Sequence, residues 1–134
     1  MLDRDDLETF LLRMDVDYEE VDEGMFLVGP KAEGAPPVVV HLSAPLLLIR
    51  VKVMDLPAEG GSKEFYRTLL ELNATDVVHG AYGIEEGELI ISDTLELATL
   101  DFQELQASVE SVLLAVSSHM EMLRGLAGVN GEGA

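Results

Sequence analysis

Three histidines are the side chains of this sequence best suited to acid–base or metal chemistry. His41, His79 and His119 fall in three separate predicted elements. None of them has a second histidine or a carboxylate at the spacing of a metal site, so each is interpreted as a partly buried or surface imidazole. The chain has no cysteine, which excludes disulfides and thiolate ligands. The sequence therefore predicts no catalytic residue, no metal site and no cofactor.

Two other groups of residues resemble binding motifs without completing one. Glu85, Glu86 and Glu88 surround a turn, but the alternating Asp/Asn pattern of a calcium loop is absent. The residues GGS at 60–62 precede a helix start and Lys63 follows them, as in an anion site at a helix N-terminus. The full spacing of a phosphate loop is missing, so a flexible connector is the favoured interpretation.

The charge balance excludes several kinds of partner. The 134 residues include 26 acidic and 8 basic ones, which gives a formal net charge of -18. Nucleic acid and anionic lipid both require a basic surface, so neither is expected to bind, whereas basic proteins should be attracted. The acidic start does not resemble a secretory signal, and the longest apolar stretch, residues 45–54, is too short to span a bilayer. We expect a cytoplasmic protein.

Three stretches have the apolar spacing of helices that bury one face. The first covers residues 4–14 and has acidic residues at its start, where the helix dipole favours negative charge. The second begins after Ser62, a suitable N-cap, and the third spans residues 102–124 after the capping pair Asp101 and Glu104. Residues 125–134 are predicted to form a flexible tail, which leaves residues 1–124 as a single domain.

Extended segments lie between the helices. Residues 18–29 have a turn or bulge at 22–24, and residues 38–42 are joined to the next strand through Ala44 and Pro45. Glu85, Glu86 and Gly87 are predicted to form a short hairpin loop, with Gly87 taking a positive φ in a bulged turn. Asp93 interrupts the apolar face of the strand that follows. The predicted fold is α+β, with three helices on a five-stranded, mainly antiparallel sheet in the order α-β-β-β-α-β-β-α.

The strand after Ala44 and Pro45 is apolar on both faces. Leu47, Ile49 and Val51 point to one side, and the opposite side of an open sheet would normally be polar. A contiguous exposed apolar patch on a monomer usually marks an interface. The alternative is that the loop at 31–37 or the tail covers it, but both segments are poor in apolar residues. The residues predicted to form this patch are Leu46, Leu48 and Met54.

The whole pattern resembles a known fold. The order of elements over residues 4–124 and the segment FYRTLLELNATDVVHGAYGIEEGELIISDTLEL, followed by a long helix, are similar to the type III secretion chaperone-like fold. Within it, the resemblance is to the YbjN-like, Tir-chaperone-related domains. The residues that carry it are LLELN at 69–73, YGI at 82–84 and GEL at 87–89.

This resemblance implies a small, acidic, non-enzymatic and often dimeric protein. In the secretion chaperones, an extended segment of a partner lies along the sheet and the first helix and is held unfolded. The second helix often builds the dimer interface. Transferred to this sequence, that interface implicates Phe65, Tyr66, Leu69 and Leu70.

The sequence therefore predicts a homodimeric, chaperone-like or regulatory binding protein without catalytic activity. A partner segment would add a strand at an exposed sheet edge. One alternative is a homodimeric regulatory domain that uses the apolar patch only for self-association. Another is a small-molecule-binding protein whose pocket is lined by some of His41, His79, Arg50 and Lys52. The residues predicted to bind the partner are Leu7, Phe10, Leu11, Leu46, Leu48 and Met54.

Overall fold

The apolar spacing of the helices and the alternation of the strands build two layers. The computed structural model describes residues 1–29 and 36–128 of the chain. The elements are α1 (Arg4–Met14), β1 (Tyr18–Asp22), β2 (Met25–Val28), β3 (Val38–Ser43), β4 (Leu46–Asp55), α2 (Lys63–Thr75), β5 (Ala81–Glu85), β6 (Glu88–Glu96) and α3 (Phe102–Ala127). The sheet has the order β1-β2-β3-β4-β6-β5, and every neighbouring pair is antiparallel. The predicted α+β class is confirmed.

Side-chain caps fix where the helices begin. The Asp3 carboxylate accepts the amide of Asp6 before α1, and the Asp6 carboxylate accepts the amide of Asp3 in return. Asp101 and Glu104 form the same capping box before α3. The Ser62 hydroxyl accepts the Phe65 amide before α2. The end of α3 differs from the prediction, because the helix continues to Ala127, where a left-handed Gly128 terminates it. The rest of the predicted tail, residues 129–134, lies outside the described residues.

The sheet has six strands rather than the five that were predicted. Residues 18–28 form two strands, because the turn at Glu23 and Gly24 reverses the chain completely. Gly24 has φ +72°, which a residue without Cβ adopts easily. The Asp22 carboxylate accepts the Glu23 amide inside this turn. A segment interpreted as one interrupted strand is therefore a complete hairpin.

The β5–β6 hairpin forms where it was predicted, but its loop is one residue shorter, because Glu85 is the last residue of β5 and pairs with Glu88. Glu86 and Gly87 connect the strands, and their φ angles are 50° and 78°. Two positive φ angles define the type I′ turn, whose twist matches that of the flanking strands. Ala44 and Pro45 connect β3 to β4 as expected.

One core lies between the sheet and the helices. Side chains of all three helices pack with the inward residues of the strands in a single cluster. Asp93, which interrupts the apolar face of β6, is paired there with the buried Ser108 of α3, whose hydroxyl donates to the carboxylate at 2.7 Å. A hydrogen bond of this kind offsets the cost of placing a polar group beside the core.

Candidate functional site

The three histidines do not meet in one site. His41 is half-buried on β3, His79 is exposed before β5, and His119 is buried on α3. In residues 1–29 and 36–128, no group of three His, Asp or Glu side chains is arranged to hold a metal ion.

His119 and Tyr82 form a buried polar pair, which the exposed Asp76 contacts and which the sequence did not predict. Its Nδ1 lies 2.8 Å from the hydroxyl of Tyr82, and its Nε2 lies 3.2 Å from Oδ2 of Asp76. Burial raises the pKa of the Tyr82 phenol, so the hydroxyl stays protonated and can donate. Tyr82 and His119 are only 6% and 7% exposed, so their contact joins β5 to α3 inside the protein, while Asp76, the C-cap of α2, meets His119 from the surface. No local motif could reveal it, because its members are distant in sequence.

Three of the four residues named for the small-molecule alternative lie on one face of the sheet, and His79 lies apart from them. His41, Arg50 and Lys52 share the sheet face opposite the helices, where carboxylates of the β5–β6 hairpin pair with both cations. The pair with Glu88 raises the pKa of Lys52. The backbone amide of His79 instead donates to the hydroxyl of Ser111 on α3, at 3.1 Å.

The sheet face opposite the helices, called here the open face, carries an apolar surface. The pairs Met25–His41 and His41–Leu48 form one row across β2, β3 and β4, and the pairs Leu27–Val39 and Val39–Arg50 form the next row. No helix or strand within residues 1–29 and 36–128 packs over these rows. The apolar members of this surface, called the open-face patch, are half-buried: Met25, Leu27, Val39, Leu46 and Leu48.

Met54 was predicted to belong to this surface, and the structure corrects that prediction. A bulge between Lys52 and Met54 inserts an extra residue into β4, so that Met54 pairs with Leu89. The bulge reverses the face on which Met54 lies, and its side chain enters the core at 7% exposure. Met25 and Leu27 take its place in the patch, and they were missed because β2 was not recognised as a separate strand.

The first helix also presents less surface than predicted. Leu7 and Leu11 are completely buried, because the apolar stripe of α1 faces the sheet and α3. Phe10 is half-buried and packs edge-on against Phe102, with 5.8 Å between the ring centroids. The expectation that Leu7 and Leu11 offer an accessible surface is therefore wrong for this arrangement.

A charged clamp holds α1 against the sheet. The Arg4 Nε donates to both carboxylate oxygens of Glu20 on β1, at 3.2 and 3.1 Å. Glu20, Glu8 and Asp5 together raise the pKa of Arg4. Arg4 in turn lowers the pKa of Glu20, with a further contribution from the Gly24 amide.

The residues expected at a dimer interface on α2 divide between the core and the surface. Phe65 and Leu69 are 0% and 6% exposed and pack in the core. Tyr66 is half-buried, and its hydroxyl accepts the Gly61 amide at 2.7 Å. Only Leu70, at 70% exposure, presents a wide apolar surface. The accessible part of the predicted interface is thus reduced to Leu70 and part of Tyr66, since α2 uses its more apolar side to cover the sheet.

The two edges of the sheet differ. At β5, the Asn73 side chain accepts the amide of Tyr82 at 2.7 Å and donates to its carbonyl at 3.2 Å, which occupies one outward-facing backbone position. Strand β1 has no neighbouring strand on its outer side in the described part of the chain. It is exposed and acidic, with Glu19, Glu20 and Asp22 in five residues. The β1 edge is therefore the less protected of the two.

Comparison with known proteins agrees with this architecture. The family model CesT_Tir_1 matches residues 3–128. The chain belongs to the CesT_Tir_1 family. The predicted resemblance to Tir-chaperone-related proteins is thereby confirmed. A search of curated protein sequences found no match.

Solved structures share the fold at low sequence identity. A chain of the heterodimeric ExoU–SpcU complex from the type III secretion system of Pseudomonas aeruginosa has a TM-score of 0.70 and 15% identity, over 89% of this chain and 98% of that one. YbjN from E. coli has a TM-score of 0.64 and 13% identity, over 88% and 91%. The Yersinia pestis type III secretion chaperone SycH, solved with a stable fragment of YscM2, has a TM-score of 0.58 and 13% identity, over 84% and 94%.

Of the helices in the described ranges, none has the combination of length and apolar character that a membrane crossing requires.

Proposed function

We propose that this protein is a non-enzymatic, chaperone-like binding protein that holds an extended segment of a partner protein on its open face. The open-face patch carries the proposal. Five half-buried apolar side chains lie together on a sheet face that no described helix or strand covers. A surface of this kind on a monomer usually marks an interface. Membership of the CesT_Tir_1 family and the likeness to SycH, a chaperone solved with a partner fragment, support the proposal.

The β1 edge supplies the second element of binding. An extended segment beside β1 would pair with its free backbone groups, and alternate side chains of that segment would turn toward the open face. The acidic side chains of β1 and the net charge of -18 favour a segment with Lys or Arg residues. In this arrangement α1 holds β1 in position through the Arg4–Glu20 clamp, and Leu7 and Leu11 contribute from the core. We place this activity in the cytoplasm.

Affinity capture from the native lysate tests the proposal when wild type is compared with two variants. Leu48→Glu puts a charge in the open-face patch, and Leu70→Glu makes the same change at an exposed leucine on α2. We expect one stoichiometric partner with wild type and Leu70→Glu, and its loss with Leu48→Glu. Raising the salt concentration should weaken capture of a basic partner. Thermal unfolding would verify that both variants fold.

Two results would contradict the proposal. Retention of the same partner by a folded Leu48→Glu variant would show that the open face does not bind it. Recovery of only the protein's own second copy, with Leu48→Glu monomeric, would instead support the alternative of a homodimer that uses the patch for self-association.

A further inference from the structure

Strand β5 forms one outer edge of the sheet, and its short length leaves few backbone groups for a further strand. Glu85 and Glu88 flank a two-residue turn as a hydrogen-bonded pair, so the backbone groups of every second residue of β5 point toward β6. The groups that point away from the sheet belong to Tyr82 and Ile84. Ile84 is 47% exposed, and an edge with an exposed apolar side chain is a template for strand pairing.

A side chain of α2 fills the Tyr82 position of this edge. The side-chain amide of Asn73 accepts the Tyr82 N–H at 2.7 Å and donates to the Tyr82 carbonyl at 3.2 Å. A residue of an antiparallel neighbouring strand makes the same two bonds. Asn73 therefore takes the place of one residue of a neighbouring strand, and of the two outward-facing positions it leaves Ile84 for pairing.

Contacts with α3 fix the turn of α2 that carries Asn73. Asp76, three residues later at the C-cap of α2, has its Oδ2 3.2 Å from Nε2 of the buried His119. Residues three apart lie on the same side of a helix, so this contact holds the Asn73 side of the turn in place. The approach to β5 is fixed as well, because the backbone amide of His79 donates to the Ser111 hydroxyl at 3.1 Å.

The two outer edges of the sheet differ in hydrogen bonding more than in charge. Strand β1 carries Glu19, Glu20 and Asp22, and the end of β5 and its turn carry Glu85 and Glu86. A basic segment is attracted to both edges, so charge alone does not select one of them. In the described part of the chain, no side chain hydrogen-bonds to the backbone of β1, whereas Asn73 bonds to the backbone of β5.

We propose that Asn73 is a specificity-determining residue that directs a partner segment to the β1 edge, because it fills a backbone position that strand addition at β5 requires. The inference rests on the proposed function, in which an extended segment pairs with β1. It adds that the β5 edge is closed to such a segment in the native protein. Removal of the Asn73 side chain opens a second binding site along Tyr82 and Ile84.

NMR spectroscopy of the isotope-labelled full chain tests the inference with a synthetic peptide of alternating valine and lysine. A nitroxide on the peptide broadens the signals of the amides beside which it binds. With wild type, we expect broadening of the β1 amides and none of the β5 amides. With Asn73→Ala, we expect broadening at β1 and also at Tyr82 and Ile84, together with the binding of a second peptide.

Hydrogen exchange without the peptide measures what each variant does to the β5 edge. Exchange of the Tyr82 amide should be about tenfold faster in Asn73→Ala, which removes its acceptor. Asn73→Asp keeps an acceptor for this amide and loses the donor to the carbonyl, so exchange should stay slow. Thr75→Ala is the control on the same turn, because its hydroxyl bonds the Glu71 carbonyl, and it should change neither exchange nor peptide binding.

Two results would overturn the inference, and a third concerns the proposed function. Broadening of Tyr82 and Ile84 in wild type would show that Asn73 does not close the edge. Absence of this broadening in a folded Asn73→Ala variant, whatever its rate of exchange, would reduce Asn73 to a cap of the strand. Broadening of β5 in Asn73→Ala without broadening of β1 in either protein would support the closing role of Asn73 and contradict binding at β1. Unchanged signals away from β5 verify that each variant is folded.

Discussion

Two adjacent leucines on β4 show the difference between the two faces of the sheet. Leu47 points to the helices and is completely buried, whereas Leu48 points to the open face and is half-buried. Burial of apolar area stabilises a fold only to the extent that water is excluded from it. The covered face therefore contributes mainly to stability, and the open face retains apolar area that a binding partner can bury. Alternation along one strand serves both purposes.

Truncation of the two leucines should have the largest effect, because the loss of stability should differ strongly between the two faces. Leu47→Ala leaves a cavity beneath the helices, and we expect it to lower the free energy of unfolding by about 2–5 kcal/mol. Leu48→Ala removes a side chain that is already partly hydrated, and we expect a loss of about 1 kcal/mol or less. Urea denaturation of both variants measures the difference. Equal losses would show that the open face is covered in solution.

The polar contact within the covered face should have the next largest effect. Ser108→Ala removes the hydroxyl that donates to Asp93 and leaves that carboxylate without this partner beside the core. We expect the free energy of unfolding to fall by about 1–3 kcal/mol. The control is Ser117→Ala on the exposed side of α3, where the hydroxyl bonds a carbonyl of its own helix and the loss should stay within about 0.5 kcal/mol. A negligible effect of Ser108→Ala would mean that water replaces the hydroxyl.

The smallest effect on stability should come from the Arg4–Glu20 clamp, whose contribution to the free energy of unfolding depends on pH. Glu20 pairs with Phe26 on the helix side of the sheet and bonds Arg4, whereas Glu19 pairs with Leu27 on the open face. The Arg4 guanidinium and the Gly24 amide lower the pKa of Glu20 below its ordinary value of 4.5. Because the folded-state pKa is the lower one, the stabilisation is present above the unfolded-state value and is lost as the pH falls through the folded-state value.

Acid denaturation of two variants checks this dependence. Glu20→Gln should be less stable than wild type near neutral pH, and the difference should shrink as the pH falls below 4.5. Glu19→Gln serves as the control, because Glu19 takes part in no side-chain hydrogen bond or ion pair in the described part of the chain. A difference between Glu20→Gln and wild type that does not change with pH would exclude the clamp as its source.

Local signals were sufficient for most of the fold. Capping residues placed the starts of the helices, and Gly87 indicated the hairpin, although not the type of its turn. The sequence indicated a turn or a bulge at residues 22–24 but not a complete hairpin, because a bulge and a tight turn have similar compositions. The alternation on β4 correctly separated Leu47 from Leu48.

The face predicted for a side chain agrees with the structure where alternation alone decides it, as at Leu46 and Leu48. It was wrong at Met54, where a bulge in β4 reverses the alternation. Leu7 and Leu11 were correctly identified as an apolar stripe, but spacing does not say whether such a stripe packs in the core or binds a partner.

The sequence by itself determined the helices, the hairpins, the acidic surface and the absence of cysteine chemistry, because each of these follows from neighbouring residues or from composition. The tertiary structure decided which apolar residues are accessible, because burial depends on which elements pack together. It alone joined Asp76, His119 and Tyr82 from three elements, and it alone left one sheet face uncovered by the described chain. Contacts between residues distant in sequence have no local pattern, and the surfaces proposed for binding are what remains after those contacts have formed.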